Sequence, residues 1–268
     1  MKWKSHITVL KGLWVGSTMT VPGVSGGTMA VVVDVYEDLL RAINEILLEP
    51  KKHVFFLLQF ITGAGIGFVV FARLITTLLE NTATGAITRL FFCGIVLGGI
   101  PLLVHKANVH KIKWNHIICL ISGAAIVYVM ALLPQGILIA ESGVKFFLLQ
   151  FMAGIIIAIA LVLPGISVTH VLFVMGLYEI ILEKIYELQF SSLIPLALGV
   201  VIGILLTTRL LEKGLKRFPE EMYMVIVGFV AASLSNLIPK GAVEMPIMGV
   251  LVGVCGFVAM YLTSKRNA

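Results

Sequence analysis

Val21-Pro22-Gly23-Val24-Ser25-Gly26-Gly27-Thr28 interrupts the first apolar run of the chain. The stretch Leu163-Pro164-Gly165-Ile166-Ser167-Val168-Thr169-His170 repeats it 142 residues later. The correspondence continues beyond the motif. Tyr36-Glu37 falls opposite Tyr178-Glu179, Leu40 opposite Leu182, Ile43 opposite Ile185 and Glu45 opposite Glu187. A lone Pro-Gly kinks a helix and signals little else. The same Pro-Gly-x-Ser with the same Tyr-Glu downstream points to an internal duplication built around a broken helix.

Composition sets the class. The 268 residues are 59% hydrophobic and 13% charged, against about 25% charged in a soluble domain, and the mean hydropathy is +1.05. Uncharged runs recur along the chain, and most approach the roughly 20 residues that span a bilayer core. The expected fold class is therefore an all-α polytopic membrane protein. The net charge of +6 follows from cytoplasmic enrichment of lysine and arginine. No solvated basic region exists that could hold nucleic acid. Cys93, Cys119 and Cys255 lie in apolar runs without close spacing and read as small buried hydrophobes. His53, His105, His110 and His116 lack metal-ligand spacing on one helical face, so neither metal nor cofactor is assigned. Met1-Lys2-Trp3-Lys4 resembles a signal-peptide start, but Lys11 and the absence of a cleavage signal place it in the mature chain.

The first half reads as a broken segment over 5–48 and spans near 53–79, 88–105 and 114–133, closed by a loop at Pro134-Gln135-Gly136. The second half reads as a broken segment over 145–188 and spans near 193–211, 222–239 and 245–263. Gly63 and Gly67 followed by Arg73 align with Gly199 and Gly203 followed by Arg209. Gly94 aligns with Gly228 and Gly123 with Gly253. Such glycines suit close helix packing.

Charge decides how the broken segments cross. If each is a hairpin that enters and leaves on one side, fourteen of the 20 lysines and arginines collect on the inner face. Arg89, Lys145, Lys184 and Lys240 remain outside. If each segment crosses once, the split is ten against eight. The positive-inside rule favours hairpins. Three spans then follow each hairpin, which inverts the second half relative to the first and puts both termini in the cytoplasm. Short arms carrying Lys11 and Asp34 favour re-entrant hairpins over pairs of full spans.

Two inverted hairpins would bring their tips towards the membrane midplane. Irregular backbone survives there only against protein or a watery cavity. Helix N-termini at the tips attract anions. Ser25, Gly26, Gly27 and Thr28 in one tip, with Ser167 and Thr169 in the other, are the expected phosphate ligands. Pro22-Gly23 and Pro164-Gly165 make the breaks. Arg73 and Arg209 occupy equivalent positions, and guanidinium suits bidentate phosphate binding; snorkelling to headgroups is the competing use. Asp34, Glu37, Glu179 and His170 are candidates for charge balance or for coupling to H+ or Na+.

The first motif with both Tyr-Glu pairs and Pro164-Gly165-Ile166-Ser167 resembles the bacterial polyprenyl-phosphate translocase family of PopT type, over essentially the whole chain. That resemblance implies transport of undecaprenyl phosphate across the cytoplasmic membrane, from outer to inner leaflet, to recycle the lipid carrier of envelope synthesis. A polyprenyl-pyrophosphate phosphatase is a different class with a similar Pro-Gly-x-Ser. Its motif continues with an arginine and is accompanied by a glutamate cluster. Here Gly26 and Val168 follow the serines, and the apolar runs hold no such cluster, so a non-enzyme is expected. An ion-coupled small-anion transporter or channel shares the architecture.

Overall fold

The computed structural model describes residues 5–21, 23–109, 111–132, 144–239 and 244–267. Pro22, the Pro134-Gln135-Gly136 loop, Lys2, Lys4, His110 and Lys240 lie outside the described residues. All regular structure in them is helical. The first half comprises α1 (Ser5–Thr18), α2 (Gly26–Val32), α3 (Tyr36–Asn44), α4 (Pro50–Glu80), α5 (Thr82–Ala107) and α6 (Trp114–Leu132). The second comprises α7 (Val144–Val162), α8 (Val168–Met175), α9 (Tyr178–Tyr186), α10 (Ile194–Arg217, after a 3-10 turn at Phe190–Leu193), α11 (Pro219–Leu237) and α12 (Pro246–Asn267). Helices α4, α5, α10 with its preceding turn, and α12 contain stretches long and apolar enough to cross a bilayer. The molecule is a polytopic helical membrane protein.

Local chemistry sets the helix ends. Pro50 and Pro219 open α4 and α11, where a missing N–H costs nothing. Asn81 caps α5 by accepting from the Ala83 and Thr84 amides at 2.9 and 3.4 Å. Asn108 ends it in the left-handed region.

The two broken segments share their backbone geometry at several equivalent positions. Gly23 and Gly165 have φ of 92° and 84°. Val35 N donates to Ala30 O at 2.9 Å, and its counterpart Leu177 N donates to Leu172 O at 3.0 Å. Asp34 N to Val31 O at 3.1 Å repeats as Gly176 N to Phe173 O at 3.0 Å. The sequence expected one helix after each Pro-Gly. Instead each second arm bends again, between α2 and α3 at Asp34 and between α8 and α9 at Gly176, both at positive φ.

Glycine governs the long helix contacts. A Cβ on Gly12 or Gly16 would overlap the carbonyls of Phe60 or Ala64, and one on Gly63 or Gly67 those of Val9 or Leu13. Register rises together along both helices, so α1 and α4 run in the same direction. The chain must therefore double back through α2 and α3 to begin α4. Helices α7 and α10 pack likewise, with Gly199 on Phe151 and Gly203 on Ile155 and Ala158. The remaining helices pair crosswise. Helix α5 packs on α12 through Gly94 against Gly253 and Gly98 against Phe257, and α6 packs on α11 through Gly123 against Val225. Each half thus lends its last helix to the other, and α5 meets α11 between them.

Candidate functional site

The two tips touch. The Gly165 amide donates to Thr28 Oγ1 at 2.8 Å. A Cβ on Gly27 would lie 3.3 Å from Pro164 Cα, a spacing that a small residue permits and a side chain would crowd. The break after α7 leaves the Val162 carbonyl without a helical donor, and Tyr36 Oη supplies one at 3.0 Å. Gly165 rests on Phe229, midway along α11, and Gly23 on Asn236 near its end. Thr28–Val32 of α2 are all buried, so the first tip sits inside the protein.

The other expected ligands are arranged unequally. Ser25 is 7% exposed and makes no cap bond, whereas Ser167 Oγ accepts from His170 N at 3.4 Å. Gly26 lies beside Met19. Thr169 is exposed. His170 Nε2 contacts Met130 O at 3.0 Å. Arg73 and Arg209 are exposed on α4 and α10, and among the described residues neither forms a salt bridge. The structure therefore joins Gly27 and Thr28 to Pro164 and Gly165, and leaves both arginines on outward faces. Glu179 is exposed, and Tyr178 stacks on Phe173 with centroids 4.2 Å apart.

Asp34 and Glu37 have different surroundings from Glu179. Lys106, in the last turn of α5, donates to Asp34 Oδ1 and, at 2.7 Å, to Glu37 Oε1. Tyr223 Oη donates to the same Glu37 oxygen. Lys11 Nζ donates to the Asp34 carbonyl at 2.6 Å. The Lys106, Asp34 and Glu37 side chains are 27%, 27% and 44% exposed, so the cluster is half sheltered. Asp34 has φ 56° where its counterpart is Gly176 at 70°. A non-glycine residue there stores about 1–3 kcal/mol of strain. Aspartate tolerates this region better than most, and its two lysine contacts offset the strain. Asp34→Gly is accordingly expected to keep the bend and to hold the melting temperature to within a few degrees of wild type, whereas Asp34→Val is expected to lower it clearly, as thermal unfolding would show.

A polar latch closes the same end. Asn44 Nδ2 donates to Glu212 Oε2 at 2.6 Å, and Thr208 Oγ1 donates to Asn44 Oδ1 at 2.9 Å. His116 Nε2 lies 3.0 Å from Glu220 Oε2 and His53 Nε2 3.4 Å from Glu45 Oε2, so two buried histidines to which the sequence gave no role sit at helix starts beside acids. Sequence reasoning assigned Lys11 and Lys106 to the inner-face charge and gave Tyr223 no role. One signal was present. The Gly94–Gly228 register carries Lys106 onto Lys240, which repeats a cation at the end of equivalent helices.

These features define a polytopic helical membrane protein with two broken-helix tips in contact and a half-sheltered charged cluster near one helix end. The chain belongs to the undecaprenyl phosphate translocase-like family, whose profile matches residues 15–251. It is similar to a polyprenyl-phosphate transporter of Vibrio cholerae, 29% identical over 246 residues that cover 87% of this chain and 77% of the relative. It is also similar to a polyprenyl-phosphate transporter of Staphylococcus aureus, 28% identical over 282 residues that cover 100% and 98%. No solved structure matches the chain.

Proposed function

We propose that the protein translocates polyprenyl phosphate across the bacterial cytoplasmic membrane, passing the phosphate through the protein while the prenyl tail stays in lipid. It is a transporter and not an enzyme. The observation that carries the reading is the Gly165–Thr28 contact between the two tips, in a chain whose relatives are named polyprenyl-phosphate transporters.

The tips belong to two inverted repeats, 1–133 and 145–263, each with a re-entrant hairpin. Parallel packing of α1 with α4 and of α7 with α10 supports hairpins that return to the side they entered. Crosswise packing of α5 with α12 and α6 with α11 supports a two-fold relation between the halves. Both termini face the cytoplasm, as the charge distribution requires. In a cysteine-free background, cysteines at positions 6 and 49 are expected to react with an impermeant reagent from the inside, and one at position 183 from the outside. Labelling of 6 and 49 from opposite sides would eliminate the hairpin.

Ser25, Gly26, Gly27 and Thr28 with Ser167 and Thr169 form the phosphate path at the tips. Arg73 lies towards the end of α4 and Arg209 towards the end of α10, so under inversion each serves one leaflet. They collect the phosphate at the rim, where guanidinium binds it bidentately. Lys106 receives it at the inner end, in exchange for Glu37 and Asp34. Glu37 and Asp34, which hold Lys106, are the groups through which H+ or Na+ would couple to transport. Glu179 is the counterpart of Glu37 in the second hairpin, and His170 stands opposite Thr28 at its tip.

The test is binding and hydrolysis by purified protein. Undecaprenyl phosphate is expected to bind and the Arg73→Ala/Arg209→Ala double variant to bind at least about tenfold more weakly, the loss of about 1.4 kcal/mol. Undecaprenyl pyrophosphate is expected to yield no inorganic phosphate. Release of phosphate at enzymatic rates would transfer the protein to the phosphatase class.

A further inference from the structure

A cavity adjoins the tips. Its volume is about 190 Å³, and it lies between the first hairpin and helices α4, α7 and α10. Ala30, Leu39, Leu40, Phe60, Val162 and Ile204 are among its lining residues. Gly26 and Gly27 also line it, so the cavity is continuous with the first tip.

The lining offers a ligand no free polar side chain. Its two polar side chains are Tyr36 and Thr208. The Tyr36 hydroxyl is committed to Val162 O at 3.0 Å, and the Thr208 hydroxyl to Asn44 and to Ile204 O at 2.9 and 2.8 Å. An apolar cavity of this kind stays dry and takes an apolar guest. Its rim opens outward at Met19 and Leu161, which are 44% and 40% exposed. A chain can therefore enter from the lipid side while its head reaches the tip glycines.

We infer that this cavity binds the first isoprene units next to the phosphate of the transported lipid. The inference rests on the phosphate path proposed above and adds a site for the adjoining carbons. Scaling from the roughly 150 Å³ that accommodates benzene, the cavity holds about one to two five-carbon units. The protein therefore recognises a phosphate joined to a short apolar segment and leaves the distal tail to the bilayer. Tail length beyond the second unit should not affect affinity.

Two soluble probes separate the parts. A photoreactive farnesol, which lacks phosphate, reports on the cavity alone, and inorganic phosphate reports on the tips alone. Farnesol is expected to label residues of α3 and α10 around Leu39 and Ile204. Filling the cavity by Ile204→Phe, or independently by Leu39→Phe should the first variant fold poorly, is expected to reduce that labelling at least fivefold. Geranyl and farnesyl phosphate are expected to bind wild type equally, and more tightly than inorganic phosphate by at least about tenfold, the scale that small apolar increments reach in a hydrophobic pocket. That advantage disappears in the filled variants, while binding of inorganic phosphate is unchanged. Labelling confined to other helices, or unaffected in both folded variants, overturns the cavity assignment. Farnesol labelling without any binding of inorganic phosphate supports the cavity and counts against the phosphate path. Farnesyl phosphate binding much more tightly than geranyl phosphate overturns the proposed size limit.

Discussion

Lys106→Gln is expected to reduce polyprenyl-phosphate translocation by at least about tenfold, a barrier increase of roughly 1.4 kcal/mol. Lys106 is the cation shared by Asp34 and Glu37. Removing it leaves two carboxylates facing each other in a half-sheltered site at the end of a membrane helix, where uncompensated charge is costly. A fully buried pair broken this way loses about 3–5 kcal/mol. With side chains 27–44% exposed, water screens part of that, and about 1–2 kcal/mol of stability is the expected loss. Stability and transport can be separated. Adding Glu37→Gln to Lys106→Gln removes much of the repulsion and should restore the melting temperature, but not the translocation, because the lysine proposed to receive the phosphate is gone while Lys11 stays on the Asp34 carbonyl. Recovery of transport in the double variant would reduce Lys106 to a structural counter-charge.

Gly165→Ala is expected to destabilise the fold strongly. Gly165 has φ 84°, where a Cβ is strained by about 1–3 kcal/mol. That Cβ would also overlap the Phe229 carbonyl on α11. Overpacking of this kind adds a further 1–3 kcal/mol or so. Relief by local movement would pull the Gly165 amide away from Thr28 Oγ1, separating the tips. Thermal unfolding in detergent should show a large loss for Gly165→Ala and for Gly23→Ala, whose φ is 92° and whose Cβ would lie 2.8 Å from Asn236 O. Gly65→Ala is the control. It meets nothing within 4 Å and should unfold like wild type. Equal melting temperatures for Gly165→Ala and Gly65→Ala would contradict the account of the tip.

Much of this was legible in the sequence, because apolar periodicity and glycine spacing act locally. The 142-residue correspondence located both breaks, and the bends that follow them repeat their hydrogen bonds at that same offset. Gly63, Gly67, Gly199 and Gly203 could be read as packing glycines from their spacing alone. The second bend in each hairpin was hidden. Asp34 does not announce a left-handed turn as Gly176 does, and only their alignment reveals that both positions serve the same geometry. Tyr223 was invisible for a different reason. Its partner Glu37 is 186 residues away, and no local pattern encodes a contact across that separation. The crosswise packing of α6 on α11 and α12 on α5 is a global choice of the same sort. Arg73 and Arg209 were found by equivalence, yet side-chain direction on a helix of mostly apolar residues depends on which face packs, and here both face outward.

The most direct measurement uses purified protein in liposomes with labelled undecaprenyl phosphate confined to one leaflet. Its arrival in the other leaflet is followed against protein-free liposomes and against Lys106→Gln. Rapid movement is expected in wild type and little in the variant, with the phosphate group retained. Movement no faster than in protein-free liposomes would contradict the proposed function.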